Sequence, residues 1–208
     1  VPGTEAGRTD DIAHTVHYGH VVERVRAELA DRHFGLLEAL AETGFKGRFV
    51  FVGTGDAYGL VSADALPIQE DRPLRPRNPY AVSETAAEAL APSWSQTGPF
   101  EVMMARPFNH IGAGQAPTFV ISDFARQLAV IAAGQRPPLL SVGNIEATRD
   151  FTDVADVVRA YELLLARGQN GEIYNVCSGV ERSVRTLLER LLSLSGLNAE
   201  VVNDPARL

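Results

Sequence analysis

Three short, almost continuously apolar runs constrain this chain more than any other feature: Arg48–Gly53 (RFVFVG), Phe100–Ala105 (FEVMMA) and Glu172–Cys177 (EIYNVC). A strand apolar at successive positions shows apolar side chains to both faces, so it must be covered on both, as in a parallel sheet flanked by helices. The segments between have helical spacing. Residues 11–43 read as two helices interrupted at Gly19 and Gly35 and stopped at Gly44. Further helices are expected at Tyr80–Ala91, closed by Pro92, and at Val120–Ala133, Thr152–Ala166 and Ser183–Leu194. Leu139–Val142 reads as a short extended piece, and Pro67–Pro79 and Arg106–Gly114 as loops. Strands alternating with helices predict an α/β domain with a parallel sheet.

Composition narrows the function classes. The 208 residues are 45% hydrophobic and 22% charged, as in an ordinary globular domain. No apolar run nears the roughly 18 to 20 residues of a membrane span, and the N-terminus lacks a charged-then-apolar signal pattern. These features predict a cytoplasmic protein with no membrane partner. A net charge of -7 opposes general binding to nucleic acid, which needs a basic field. The single cysteine, Cys177, excludes an internal disulfide and, in an apolar run, is expected to be a buried structural thiol. Lys46 is the only lysine, so few positions can supply a catalytic ammonium.

The loops that follow the strands hold the candidate chemistry, as they do in open parallel sheets. Gly53–Gly59 (GTGDAYG) sets a hydroxyl, Thr54, two residues before a carboxylate, Asp56. Taken alone it also reads as a glycine-rich turn whose Thr and Asp bond local backbone. Tyr80 begins a helix behind Asn78-Pro79. It is either a half-buried aromatic at a helix start or a proton-exchanging phenol, which requires a pKa pulled down from about 10.

In order, FVFVGTGDAYG, NPYAVSETAAE, RPFNHIGAGQAP, GNIEATRDFTDVADVVRAY and EIYNVCSG resemble the signatures of extended short-chain dehydrogenases/reductases, the NAD-dependent epimerase/dehydratase family. The nearest branch is that of GDP-mannose 4,6-dehydratase and GDP-4-keto-6-deoxymannose reductase. The resemblance runs over roughly residues 36–207. It implies a Rossmann-like parallel sheet with flanking helices, NAD or NADP as cofactor, a nucleotide-sugar substrate of the GDP-hexose class, and a homodimer.

Residue by residue, the resemblance implies that Thr54 holds the sugar C4 oxygen and that Tyr80 trades the C4 proton during hydride transfer with nicotinamide. Asp56 stands where the dehydratases carry a glutamate that removes the C5 proton, and its shorter reach weakens the dehydratase reading. Pro107 would lie against the nicotinamide amide. Asn109 and Arg149 would bind the diphosphate, a task suited to an arginine fork. His110 reads as a loop hydrogen-bonder rather than a catalyst. Asp150, Asp153 and Asp156 read as helix-start carboxylates rather than metal ligands.

Two departures stand out. The family follows its catalytic tyrosine four residues later with a lysine, and here that position is Glu84. A carboxylate one turn from a phenol raises the phenol's pKa where a lysine lowers it. Glu84 can accept hydrogen bonds from ribose hydroxyls but cannot replace a cation. The family's G-x-x-G-x-x-G turn, which seats the dinucleotide pyrophosphate on a helix N-terminus, does not occur in the 208 residues. The expectation is a partial domain over 1–208, lacking the first strands and the C-terminal end of the substrate lobe, with β-strand 48–53 left as an open sheet edge. Such a chain is either part of a nucleotide-sugar reductase or dehydratase, or a non-catalytic remnant that binds a nucleotide-sugar or a protein partner.

Outside the resemblance, His14, His17 and His20 recur at a spacing of three. Gly19 interrupts that helix and no acidic or Cys partner follows closely, so a solvated helix end is favoured over a metal site.

Overall fold

A computed structural model describes residues 35–207. It divides into two compact units, the first ending at Pro107 but regaining Tyr161–Asn175, the second formed by Phe108–Ala160 and the chain from Val176 onward. His14, His17, His20 and most of the expected helical stretch 11–43 lie outside the described residues; what is described of that stretch, 35–42, is helix (α1).

The first unit is built on β1 (Arg48–Val52), β2 (Glu101–Pro107) and β6 (Ile173–Val176), in the order β1-β2-β6. β1 and β2 pair in parallel from Arg48 opposite Glu101 to Val52 opposite Ala105. β2 is central, and Val102, Met103, Met104 and Ala105 are all buried, so both its faces are covered as the apolar run predicts. β1 has β2 as its one strand neighbour among the described residues, an edge position as expected. Leu37, Phe51, Ala87, Ala91, Phe100, Val102 and Met104 form the core on one side. The larger of these side chains contribute about 1.5–3 kcal/mol each on burial. The Trp94 ring stacks on Phe100 at 5.8 Å between centroids.

Helix α2 (Pro79–Glu88) starts where the sequence says it should. Asn78 is extended, its side-chain oxygen accepts the Ala81 N–H at 2.7 Å, and Pro79 takes the first helical position. Such a cap contributes about 1 kcal/mol. Pro92 does not simply close this helix, as expected. It sits in the first turn of a further helix, α3 (Ala91–Thr97), where a missing N–H has no helical partner to lose.

The second unit holds β3 (Asn109–Ile111), α4 (Val120–Ala132), β4 (Leu139–Val142), β5 (Thr148–Asp153), β7 (Glu181–Ser183), α6 (Val184–Ser195) and β8 (Glu200–Asn203). Helix α5 (Val154–Arg167) begins in this unit and passes into the first at Tyr161. Two small sheets form, β3-β5-β7 and β4-β8. Ile121, Phe124, Leu128, Leu140, Val142, Phe151, Val184 and Leu188 belong to its core. Among the described residues no helix is long and apolar enough to cross a membrane.

Several local expectations are corrected here. The segment Arg106–Gly114 is not all loop, since it contributes the end of β2 and then β3. The helix expected from Thr152 starts at Val154, because Thr148–Asp153 is taken as a strand between β3 and β7. β7 and β8 were also unforeseen; they are three- and four-residue strands whose identity depends on a partner rather than on periodicity. Cys177 is exposed, not buried, because β6 ends at Val176 and the cysteine begins the loop that follows.

Candidate functional site

The ladder of β1 runs one bond beyond its end, Gly53 N–H donating to the Ala105 carbonyl at 2.9 Å. The chain then turns through a short 3-10 helix, Gly55–Tyr58, capped by Thr54. Thr54 is buried, and its Oγ accepts the Asp56 N–H at 3.1 Å. The local turn reading of this loop is therefore correct for Thr54, and it does not compete with the chemical one.

Thr54 also shares a side-chain hydrogen bond with Tyr80, which lies in the first turn of α2 and is 55% exposed. The phenol's pKa is raised above the usual tyrosine value. Partial burial is the largest cause, the Glu84 carboxylate the next, and Asp56 adds a smaller push; the hydrogen bond with Thr54 pulls the other way. Tyr161 of α5 is raised as well, by burial first and then by Tyr80. Thr54, Asp56, Tyr80 and Glu84 thus come together at the carboxyl end of β1. The cluster is acidic, where proton exchange at neutral pH calls for a nearby cation. Pro107, buried at the end of β2, belongs to the same unit.

Gly59 closes the turn. Its φ is +69°, and a Cβ there would lie 2.0 Å from the Arg75 carbonyl oxygen. The close approach brings Arg75 N–H to the Ala57 carbonyl at 2.9 Å, fastening the Pro- and Arg-rich loop beside the turn.

The remaining candidates lie in the second unit. Asn109 is exposed on β3, paired with Phe151. Arg149 is exposed on β5, donates to the Thr148 carbonyl at 2.6 Å, and stands directly opposite Arg182 of β7. Like charges opposite one another disfavour a ladder unless an anion or solvent screens them. His110 Nδ1 lies 3.0 Å from the Phe108 carbonyl oxygen, a local loop contact. Asp150 accepts from Ser178 N–H, Ser178 Oγ and Gly179 N–H at 2.6–2.9 Å, and Asp153 caps the Ala155 N–H at 2.7 Å. Those carboxylates hold backbone. Two open clefts in this unit, of about 360 and 300 Å³, are lined by neither Asn109 nor Arg149.

Sequence reasoning passed over the charged residues beneath the site. Arg106 and Glu88 are buried as an ion pair that also reaches Tyr58. The signal was available, since Arg106 ends an apolar strand and Glu88 lies two helical turns after Tyr80.

A Thr–Tyr pair at the carboxyl end of a parallel strand, with a tyrosine-bearing helix behind it, defines a class: α/β proteins of the extended short-chain dehydrogenase/reductase type. Comparison with known families matches residues 33–204 to GDP-mannose 4,6 dehydratase, and the chain belongs to that family. The GDP-6-deoxy-D-mannose reductase of Pseudomonas aeruginosa is 49% identical over 173 residues, 83% of this chain and 57% of that protein. A dTDP-glucose 4,6-dehydratase of Streptomyces niveus is 32% identical over 80% of this chain and 47% of its own length. Among solved structures, RMD from Pseudomonas aeruginosa complexed with NADPH superposes with a TM-score of 0.81 at 48% identity, covering 84% of this chain and 60% of that one. The chain thus spans about half to three-fifths of the length of these relatives.

Residues 1–46 separately match the dihydroneopterin aldolase family. The helical periodicity of residues 11–43 gave no hint of that likeness, because spacing alone does not distinguish one amphipathic helix from another.

Proposed function

We propose that this chain is part of an NAD(P)-dependent nucleotide-sugar reductase or dehydratase of the GDP-4-keto-6-deoxyhexose type, acting at sugar C4. The observation that carries this reading is the buried Thr54 hydroxyl in hydrogen-bond contact with Tyr80, in a chain 49% identical to a GDP-6-deoxy-D-mannose reductase. Thr54 and Tyr80 serve the C4 oxygen: the first orients it, and the second gives or takes its proton. Asp56, exposed beside them, faces the neighbouring carbon. Asn109 and Arg149 hold the diphosphate of a GDP-hexose, and the field of Arg182 opposite Arg149 favours the same anion. We read the first unit as part of the dinucleotide lobe and the second as part of the nucleotide-sugar lobe of a cytoplasmic homodimer.

NAD or NADP, when bound, supplies or accepts the hydride at C4. The residues present fit that group only in part. Pro107 and Tyr80 suit the nicotinamide end and Glu84 can accept from ribose hydroxyls, but among the described residues no cation acts on the phenol, and no G-x-x-G-x-x-G turn occurs in the 208 residues.

Glu84 favours a second reading, a catalytically impaired chain that binds a nucleotide-sugar or a protein partner. Calorimetric titration with NADPH and with GDP separates the two. Binding of both supports the enzyme and sinks the impaired reading. Binding of GDP alone supports a nucleotide-sugar half-site. Binding of neither overturns the nucleotide-sugar assignment for this chain.

A further inference from the structure

The two proposed acid–base groups ride on different elements, Thr54 on the turn after β1 and Tyr80 on α2, so their spacing depends on how turn and helix are held together. Glu88 follows Tyr80 by two helical turns on the same face and is 5% exposed. Its carboxylate accepts Arg106 Nε at 3.0 and 3.1 Å and Arg106 Nη2 at 2.5 Å, with Arg106 3% exposed. The other arm, Nη1, donates to Tyr58 Oη at 2.7 Å and to the Glu70 carbonyl at 3.0 Å. Tyr58 Oη in turn donates to Asn175 Oδ1 at 2.8 Å, and the guanidinium carbon sits 4.9 Å from the Tyr58 ring centroid. Tyr58 is the last residue of the turn that Thr54 caps.

One guanidinium therefore ties α2 to the Thr54 turn. Apolar residues of similar volume fill such a site at comparable stability, so stability alone does not call for a buried ion pair. What apolar packing lacks is direction. The planar fork fixes the angles at which Glu88 and Tyr58 meet it, and hence the register and rotation of α2. A slip of one residue along a helix is about 1.5 Å, enough to break a hydrogen bond at its far end.

We propose that Glu88, Arg106 and Tyr58 are positioning residues that lock α2 against the Thr54 turn and so keep the Thr54 hydroxyl within reach of the Tyr80 phenol. The inference rests on the reading of those two groups as the reacting pair, but its test needs neither ligand nor turnover.

The readout is the titration of the Tyr80 phenol in the purified chain, followed by tyrosinate absorbance against a Tyr80→Phe blank. Asp56 and Glu84 also act on that phenol, which in turn acts on Tyr161, and all three stay unchanged throughout. Thr54→Val is expected to raise the phenol's pKa in the parent chain by removing the opposing hydrogen bond. In Glu88→Leu/Arg106→Met, which removes both charges together, Thr54→Val is expected to have no further effect. Tyr58→Phe, which keeps the ion pair but cuts its link to the turn, is expected to shrink the Thr54→Val shift. If the double variant fails to fold by circular dichroism, Tyr58→Phe decides alone. An undiminished Thr54→Val shift in the folded variants, or no shift in the parent, overturns the proposal. Failure to bind NADPH and GDP would sink the functional reading and leave this result standing.

Discussion

Glu84 stands one helical turn beyond Tyr80, and its carboxylate lifts the pKa of the phenol it follows. Burial pushes in the same direction, and among the described residues the Thr54 hydroxyl opposes them. A tyrosine so placed holds its proton at neutral pH. Glu84→Lys reverses the sign of the neighbouring charge, so the Tyr80 phenol should titrate at lower pH, as followed by tyrosinate absorbance against Tyr80→Phe. If the chain binds NADPH and a GDP-4-keto-6-deoxyhexose, the same variant should gain reductase turnover.

Arg149→Ala should weaken GDP binding about tenfold, the loss expected from one charge-assisted contact to a diphosphate, with little change in the unfolding midpoint. Calorimetry at fixed ionic strength checks it. An unchanged affinity would remove Arg149 from the proposed diphosphate site.

Asp123 of α4 gives the second unit its acid sensitivity. Burial alone would raise its pKa, but hydrogen bonds from Arg207, Arg126 and Gln127 outweigh that and hold it below the usual carboxylate value. The Arg207 bond is 2.6 Å long and ties the helix to the segment after β8. A depressed folded-state pKa stabilises above the unfolded pKa of about 3.9 and ceases to do so as pH falls through the folded value. Stability should therefore fall on acidification below about pH 4. Asp123→Asn should cost about 1.5–3 kcal/mol at pH 7 and flatten that acid limb, as measured by denaturant unfolding across pH.

Gly59→Ala should destabilise the chain by about 1–3 kcal/mol, since a Cβ at φ +69° is both strained and driven into the Arg75 carbonyl. Gly114→Ala, also at positive φ but with nothing within 4 Å, serves as the control and should cost less. Equal losses would show that the Arg75 approach contributes nothing.

The parallel sheet of the first unit was legible because β2 leaves no polar residue between Val102 and Ala105. A both-faces-buried strand admits few other readings. Helix α2 was legible from Asn78-Pro79, and its end was misjudged because Pro92 can stop one helix or open the next. β3, β7 and β8 were not legible, being too short to show a period. The likeness of residues 1–46 to dihydroneopterin aldolase was missed, since neither helical spacing nor the spacing of His14, His17 and His20 specifies a family.

For the site, the residue types and their order along the chain were enough to single out Thr54, Tyr80 and the carboxylate at Glu84, because chemistry and helical spacing are both local properties. The structure alone showed that the Thr54 oxygen is taken up by the Asp56 N–H. It alone showed that a guanidinium from β2, buried between Tyr58 and Glu88, underlies the pair. Those contacts join positions 18 and 48 residues apart, and a buried charge finds its partners through packing rather than through neighbours in sequence.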